Sequence, residues 1–126
     1  MIQITGKVIH GQKYGRVLGF PTANLDRRQY VREKMKIRFG VWAGEIKLKV
    51  KSGKLKVYKA GVIIGPLDKR RLPKIEAHLI NFKGNLYGKK ITVSLKSYLR
   101  KFAEYKNVSS LKKQIQKDLR KIRKVL

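Results

Sequence analysis

Apolar and polar residues alternate along much of the chain, which is the pattern of β-strands that bury one face. Residues 2–8 predict a first strand. Residues 41–51 predict another, in which every second residue from Ile46 onward points toward a core and the intervening lysines point toward water. A turn signal at residues 52–53 leads into an apolar run at residues 55–58, so these two runs predict a hairpin.

Further strands follow at short intervals. Residues 75–82 and 90–96 have strand patterns, and in the second of these Ser94 is expected on the outward face. The intervening residues 65–73 are polar and cationic and predict a loop, while residues 27–38 predict a basic connector. Strands spaced this closely favour a small antiparallel barrel.

The C-terminal segment changes to the period of an α-helix, because its apolar residues recur every three or four positions. Either Ser109 or Asn107 would cap its N-terminus. We therefore expect one domain over residues 1–126, with a barrel at about 1–98 and a loop and helix at about 99–126. The apolar face of the helix comprises Val108, Leu111, Ile115, Leu119, Ile122 and Leu126.

Composition adds a strong charge bias. A chain of 126 residues fits one compact domain, and its 42% hydrophobic residues suffice for a core. Lysine and arginine number 33 against 7 acids, a net charge of +26 that favours polyanionic or phosphorylated ligands. One alternative function is therefore that of a basic β-barrel nucleic-acid-binding protein, and the charge alone would allow non-specific binding of nucleic-acid phosphates. The predicted helix supplies seven of the cations, namely Lys112, Lys113, Lys117, Arg120, Lys121, Arg123 and Lys124.

Cysteine content and hydropathy exclude several other classes. The chain has no cysteine, so it has no disulfide framework, no cysteine-ligated metal and no thiol catalysis. No apolar run approaches the ~20 residues of a membrane-spanning helix, and the N-terminus does not have the pattern of a signal peptide. We therefore expect a cytoplasmic protein that does not associate with membranes, and a monomer.

The most specific segment is a glycine-punctuated loop at residues 11–24. Its glycines permit positive φ and let backbone N–H groups approach phosphate, and its cations add charge. Thr22 and Asn24 then place a hydroxyl and an amide oxygen on one side of an extended chain, and such oxygens suit magnesium bound together with substrate phosphates. From the residues alone, a glycine-rich hairpin loop remains an open alternative. The candidate phosphate-binding residues are Gly11, Lys13, Gly15, Arg16 and Gly19.

Glu76 is the candidate acid–base group. It is one of only seven acids, lies in the middle of a predicted strand and shares a face with His78. An ionised carboxylate in this position can act as a general base. The alternative is a surface carboxylate that offsets nearby lysines. For His78 we expect a structural or supporting role rather than a catalytic one.

Five segments follow one another in the order GRVLGFPTANL at 15–25, GVWA at 40–43, EAHLINF at 76–82, LYG at 86–88 and LKKQIQKD at 111–118. Together they resemble the riboflavin kinase (flavokinase) family, as single-domain enzymes or as the C-terminal module of bacterial FAD synthetases. The chain departs from the family after Ile64-Gly65, where PLDKRR at 66–71 stands in place of a common Asn-Pro-Thr-Phe segment. It departs again at residues 100–102, where RKF replaces Arg-Pro-Glu.

The resemblance implies a mainly β fold, a six-stranded antiparallel, Greek-key-like barrel with a C-terminal amphipathic helix. It also implies an ATP:riboflavin 5′-phosphotransferase that forms FMN and needs magnesium. By the same resemblance Glu76 is the catalytic base, the glycine loop covers the nucleotide phosphates, and Thr22 and Asn24 bind metal and phosphate. Arg100 and Tyr105 are the candidate flavin contacts. The phosphate donor, ATP or CTP, stays open, as does a flavin-binding regulator without kinase activity.

Overall fold

Six antiparallel strands form a closed barrel in the computed structural model, which describes residues 2–9 and 22–125. Neighbouring strands follow the order β1-β2-β5-β4-β3-β6, and β6 returns to pair with β1. The predicted six-stranded barrel with a C-terminal helix is thus confirmed. The elements are β1 (Ile2–Ile9), β2 (Ala23–Leu25), α1 (Arg28–Arg32), β3 (Gly40–Lys49), β4 (Leu55–Leu67), β5 (Pro73–Leu79), β6 (Lys90–Arg100) and α2 (Val108–Val125).

The strand register explains why distant parts of the sequence meet. The predicted hairpin is β3–β4, in which Lys49 pairs with Leu55 beside the turn and Gly40 pairs with Ile64 at the far end. The short strand β2 lies between β1 and β5, and in it Asn24 pairs with Glu76. Asn24, a residue of the motif at 15–25, therefore lies beside the candidate base without any loop having to reach across the barrel.

The barrel interior is a packed apolar core, and it determines which residues face outward. On β5, Ile75, Ala77 and Leu79 are buried inside, so Glu76 and His78 point to the outer surface. Inward-facing residues of the other strands complete the core and include Ile4, Ile46, Val62, Ile64, Ile91 and Val93. The interior is filled, so any ligand site has to lie outside the barrel.

Helix α2 packs against the outside of the barrel and forms a second, smaller core. This core comprises Ala43, Ile80, Leu119 and Ile122. Gly61 on β4 allows the close approach, because a Cβ at this position would lie 3.2 Å from Cδ1 of Ile122. Asn107 is the N-cap, since its Oδ1 accepts a hydrogen bond of 2.9 Å from the backbone N–H of Ser110.

Several element boundaries differ from the sequence expectation. β4 extends through Leu67, so the loop before β5 is only residues 68–72, and β5 ends at Leu79 rather than at residue 82. β6 continues to Arg100, and the connector at 27–38 contains the short helix α1. The longer strands follow from pairing, because β3 and β5 supply partners for β4 along most of its length.

Ser94 was expected to face water, but it is 1% exposed. It does point away from the barrel core, yet neighbouring strands cover it. Nε2 of Gln3 on β1 donates a hydrogen bond of 3.2 Å to its hydroxyl. On the other side lies Gly44 of β3, where an added Cβ would come within 2.6 Å of the Ser94 carbonyl oxygen. Outward orientation and exposure are therefore different properties in this small barrel.

Candidate active site

The outer faces of β2 and β5 bring together three of the predicted site residues. Asn24 is the direct cross-strand partner of Glu76, and directly opposed side chains have Cβ atoms ~4.5–5.5 Å apart. Thr22 precedes the Ala23–Ala77 pair and lines the same cavity as Glu76 and His78. A hydroxyl, an amide and a carboxylate are thus clustered on one surface.

Glu76 is held in a half-buried position at the edge of this cluster. On its other side it pairs with Ile63 of β4, an apolar neighbour. Burial raises the pKa of the Glu76 carboxyl above its usual value of 4.5, while the positive charge of Lys74 works in the opposite direction. A carboxylate with a raised pKa is a better proton acceptor than one in open solvent, provided that it remains ionised.

A cavity of about 280 Å³ opens beside Glu76, between α2 and the outer faces of β4 and β5. Its walls are mostly apolar and include Val41, Ile63, Leu111, Ile115, Leu119 and Ile122. The polar part of the lining comprises Thr22, Lys74, Glu76, His78, Arg100 and Asp118. An apolar slot with a few placed polar groups suits a flat, largely aromatic ligand with one hydrophilic end.

Arg100, at the end of β6, crosses the gap to α2 and binds Asp118. Nε donates to Oδ1 at 3.0 Å and to Oδ2 at 3.1 Å, and Nη2 donates to Oδ2 at 2.7 Å. Burial alone would lower the pKa of Arg100, but the hydrogen bonds and the charge of Asp118 outweigh it and raise that pKa. The residue predicted to contact flavin therefore lines the cavity as one half of an ion pair.

The other predicted binding residues lie in different places. Tyr105 is not among the residues that line the cavity, and its ring centroid is 6.0 Å from Cζ of Arg100. The candidate phosphate-binding residues of the glycine loop lie outside the described residues; they are Gly11, Lys13, Gly15, Arg16 and Gly19.

Asp118 is a charged residue of the cavity that the sequence analysis did not select. It is only 5% exposed although it is charged. The segment that contains it contributed to the family resemblance, but no role followed from that. One signal was available, because Asp118 lies three residues after Ile115 and four before Ile122 and therefore shares the buried face of the helix. An acid on that face needs a buried partner, and here the partner is Arg100.

The loop between β4 and β5, where the sequence departs from the family pattern, is held by Asp68. Its carboxylate is hydrogen-bonded to the Arg27 guanidinium, and Oδ1 accepts from the backbone N–H groups of Arg70 at 2.8 Å and Leu72 at 3.2 Å. The hydrogen bond from Arg27 holds the pKa of Asp68 below its usual value. The preceding Gly65–Pro66 peptide bond is cis. This loop is therefore fixed to the connector beside β2.

The donor atoms near Glu76 suit one type of metal ion. Within residues 2–9 and 22–125, no group of three or more histidines and acids is arranged to hold a metal. Thr22 and Asn24 offer neutral oxygens on the surface that carries Glu76. Such a donor set fits magnesium, which keeps several waters and binds mainly through substrate phosphates.

The fold and site together define a small β-barrel module whose ligand cavity lies outside the barrel, beneath a C-terminal helix. The chain belongs to the riboflavin kinase (flavokinase) family, whose pattern matches residues 1–126. It is 34% identical over 121 residues to a bifunctional riboflavin kinase/FMN adenylyltransferase of Buchnera aphidicola. That match covers 96% of this chain but only 38% of the relative, so the chain spans less than half of its length.

Two further similarities are informative. The RNA-binding riboflavin kinase RibR of Bacillus subtilis is 35% identical over 120 residues, which cover 94% of this chain and 49% of RibR. The crystal structure of riboflavin kinase from Trypanosoma brucei superposes with a TM-score of 0.75 at 22% identity, covering 98% of this chain and 76% of that one. This second similarity supports the fold. The helices within residues 2–9 and 22–125 contain no apolar stretch of the length needed to span a bilayer.

Proposed function

We propose that this chain is a riboflavin kinase, which transfers the γ-phosphate of a nucleoside triphosphate to the ribityl 5′-hydroxyl of riboflavin and forms FMN. The observation that carries the proposal is the placement of Glu76 beside Asn24 at the mouth of an apolar cavity. Family membership supplies the substrate class. Because the Buchnera relative is bifunctional and much longer, the proposal is limited to the kinase reaction.

The apolar and polar parts of the cavity would bind different parts of riboflavin. The isoalloxazine ring would pack against the apolar walls formed by α2 and β4, and the ribityl chain would extend toward Glu76. Because Glu76 is half-buried, much of the water that would compete with the ribityl hydroxyl for the phosphoryl group is excluded. The 5′-hydroxyl then lies within reach of the carboxylate.

In the chemical step the 5′-hydroxyl oxygen attacks the γ-phosphorus. Glu76 accepts the hydroxyl proton as the new O–P bond forms, and the bond between the γ-phosphorus and the bridging oxygen breaks to release the nucleoside diphosphate. Glu76 has to be ionised when the substrate binds. Lys74, which lowers the pKa of Glu76, therefore favours the active form.

Thr22 and Asn24 would hold magnesium together with the phosphates of the nucleotide. When bound, the ion supplies charge neutralisation at the phosphate oxygens. The two side chains orient the phosphate group relative to Glu76, which lies directly across from Asn24. The glycine loop at residues 11–19 would cover the phosphates, as the family resemblance implies.

The direct test is FMN formation by the purified chain with riboflavin and magnesium, comparing ATP with CTP. FMN that depends on the donor and is lost in Glu76→Gln supports the proposal. Glu45→Gln is the matched control, because Glu45 pairs with Lys96 at 3.2 Å on the outer face of β3 and does not line the cavity. A folded protein that gives no FMN with any donor would refute the kinase assignment.

Nucleic-acid binding is a second candidate property, additional to the kinase activity. It is supported by the net charge of +26 and by the name of the Bacillus subtilis relative. The test is the affinity for a single-stranded RNA at increasing salt. Affinity that falls to nothing near physiological salt indicates non-specific attraction of phosphates, whereas affinity that persists supports a true binding function.

A further inference from the structure

The Asp118–Arg100 pair is the polar contact between helix and barrel that borders the cavity, and the proposed function assigns it no role. Asp118 lies on α2 and Arg100 at the end of β6, and both line the cavity. Asp118 is held from two sides, because Nε2 of Gln114 also donates to its Oδ1, at 2.9 Å. Its carboxylate is thus fixed by the preceding turn of the same helix as well as by the barrel.

The hydrogen-bond pattern leaves Asp118 saturated and Arg100 partly unused. Both carboxylate oxygens of Asp118 already accept two hydrogen bonds each, so this side chain has little capacity to bind a ligand itself. Nη1 and Nη2 of Arg100 each have one named acceptor, Lys101 O and Asp118 Oδ2. Each of these nitrogens carries a second N–H, and these remain for other acceptors.

We propose that Asp118 is a positioning residue for riboflavin binding: it fixes the Arg100 guanidinium in the cavity wall, where the remaining N–H groups meet oxygen acceptors of the bound flavin. This inference rests on the proposed function. An arginine side chain is flexible, so fixing it before the ligand arrives reduces the entropy lost on binding. The bidentate geometry also sets the plane of the guanidinium, which a single hydrogen bond would not do.

The test is the affinity for riboflavin, measured by quenching of flavin fluorescence, in wild type and Asp118→Asn. Asparagine has the same shape but loses the charge and one acceptor, so Arg100 is no longer fixed. We expect the Kd for riboflavin to rise by about 10- to 100-fold, the loss expected for one charge-assisted hydrogen bond. The KM for the nucleotide should stay within about twofold, because its proposed site at Thr22 and Asn24 does not include Arg100.

A double-mutant cycle separates positioning from mere stabilisation of the fold. If Asp118 acts through Arg100, then Asp118→Asn should add little to the weakened riboflavin binding of Arg100→Gln. Glu45→Gln serves as the control for loss of a half-exposed ion pair elsewhere on the barrel. Melting temperatures of all variants show whether each one is folded at the assay temperature.

Each outcome has a definite meaning. Additive losses in the cycle, or wild-type riboflavin affinity in folded Asp118→Asn, would overturn the positioning role and leave the kinase proposal intact. Wild-type protein that binds riboflavin but makes no FMN would refute the kinase proposal, while the binding cycle would still decide the role of Asp118. Wild-type protein that does not bind riboflavin at all would overturn both proposals.

A second variant covers the case in which Asp118→Asn does not fold. Gln114→Ala removes one of the two supports of Asp118, so it should raise the Kd for riboflavin, by less than Asp118→Asn would. An unchanged Kd in this variant would count against the proposal.

Discussion

Replacing Glu76 by glutamine should abolish catalysis without weakening the fold. Glutamine has nearly the same shape but cannot accept the proton of the ribityl hydroxyl. Loss of a general base lowers turnover by roughly 10²- to 10⁴-fold, which corresponds to about 2.7–5.4 kcal/mol of transition-state stabilisation. Because glutamine has nearly the same shape as glutamate, it can occupy the space of the Glu76 side chain between its cross-strand neighbours Asn24 and Ile63.

The stability of this variant follows from the sign of the pKa shift. Burial raises the pKa of Glu76, so the folded state holds the proton more tightly than the unfolded state does. The free energy of unfolding therefore decreases as the pH rises above 4.5, the usual pKa of a glutamate. The decrease is complete once the pH exceeds the pKa of Glu76 in the folded protein. Glutamine carries no charge and avoids this decrease. We expect Glu76→Gln to melt at the same temperature as wild type, or higher, at pH 7.

Two measurements test this reasoning together. FMN production under saturating riboflavin and donor gives kcat, and thermal unfolding at pH 5 and pH 7 gives the relative stability. Turnover within tenfold of wild type would show that Glu76 is not the base. A clear drop in melting temperature at pH 7 would show that the carboxylate contributes to stability, against the sign derived from its burial.

The remaining predictions concern stability. Ile122→Ala should reduce the free energy of unfolding by about 2–5 kcal/mol in denaturant titrations, because the Ile122 side chain of α2 is fully buried against the barrel. The control is Val57→Ala at a half-exposed position, which should change the free energy of unfolding by less than about 0.5 kcal/mol. Asp68→Asn should lower the melting temperature at pH 7, and the difference from wild type should disappear in acid. The pair with Arg27 lowers the pKa of Asp68, so its contribution is present above the usual value of 3.8 and is lost as the pH falls through the folded pKa.

The strand pattern of the chain predicted most of the barrel because one face of each strand is buried. Ile46 and its alternating neighbours indicated β3 and the hairpin with β4, and the pairs Gly40–Ile64 and Lys49–Leu55 follow that prediction. The ends of the strands were harder to predict from the sequence, because pairing with neighbouring strands, rather than local sequence, decides where a strand ends. β4 continues past Pro66, where proline usually marks a loop, because Leu67 pairs with Pro73 of β5 after an irregularity in the register between Ile64 and Leu67.

The candidate site was partly predictable because it combines a local motif with a non-local register. Residue types and the family resemblance predict Thr22, Asn24 and Glu76 as site residues, and the β2–β5 pairing places Asn24 opposite Glu76. The ion pair between Arg100 and Asp118 could not be derived, because it depends on how α2 lies across the barrel. That placement depends on a close approach at Gly61, for which the sequence gives no direct signal.

The division of the molecule into two apolar cores has a consequence for its motions. The large core lies inside the barrel, whereas α2 is held by the small core around Leu119 and Ile122 and by the Asp118–Arg100 pair. A unit with few buried contacts opens at a lower free energy than the whole domain, so we expect α2 to open as a separate cooperative unit. A ligand bound beneath α2 contacts both units and joins them. Amide protons of α2 should therefore exchange faster than those of β4 in the free protein and slow markedly when riboflavin is bound.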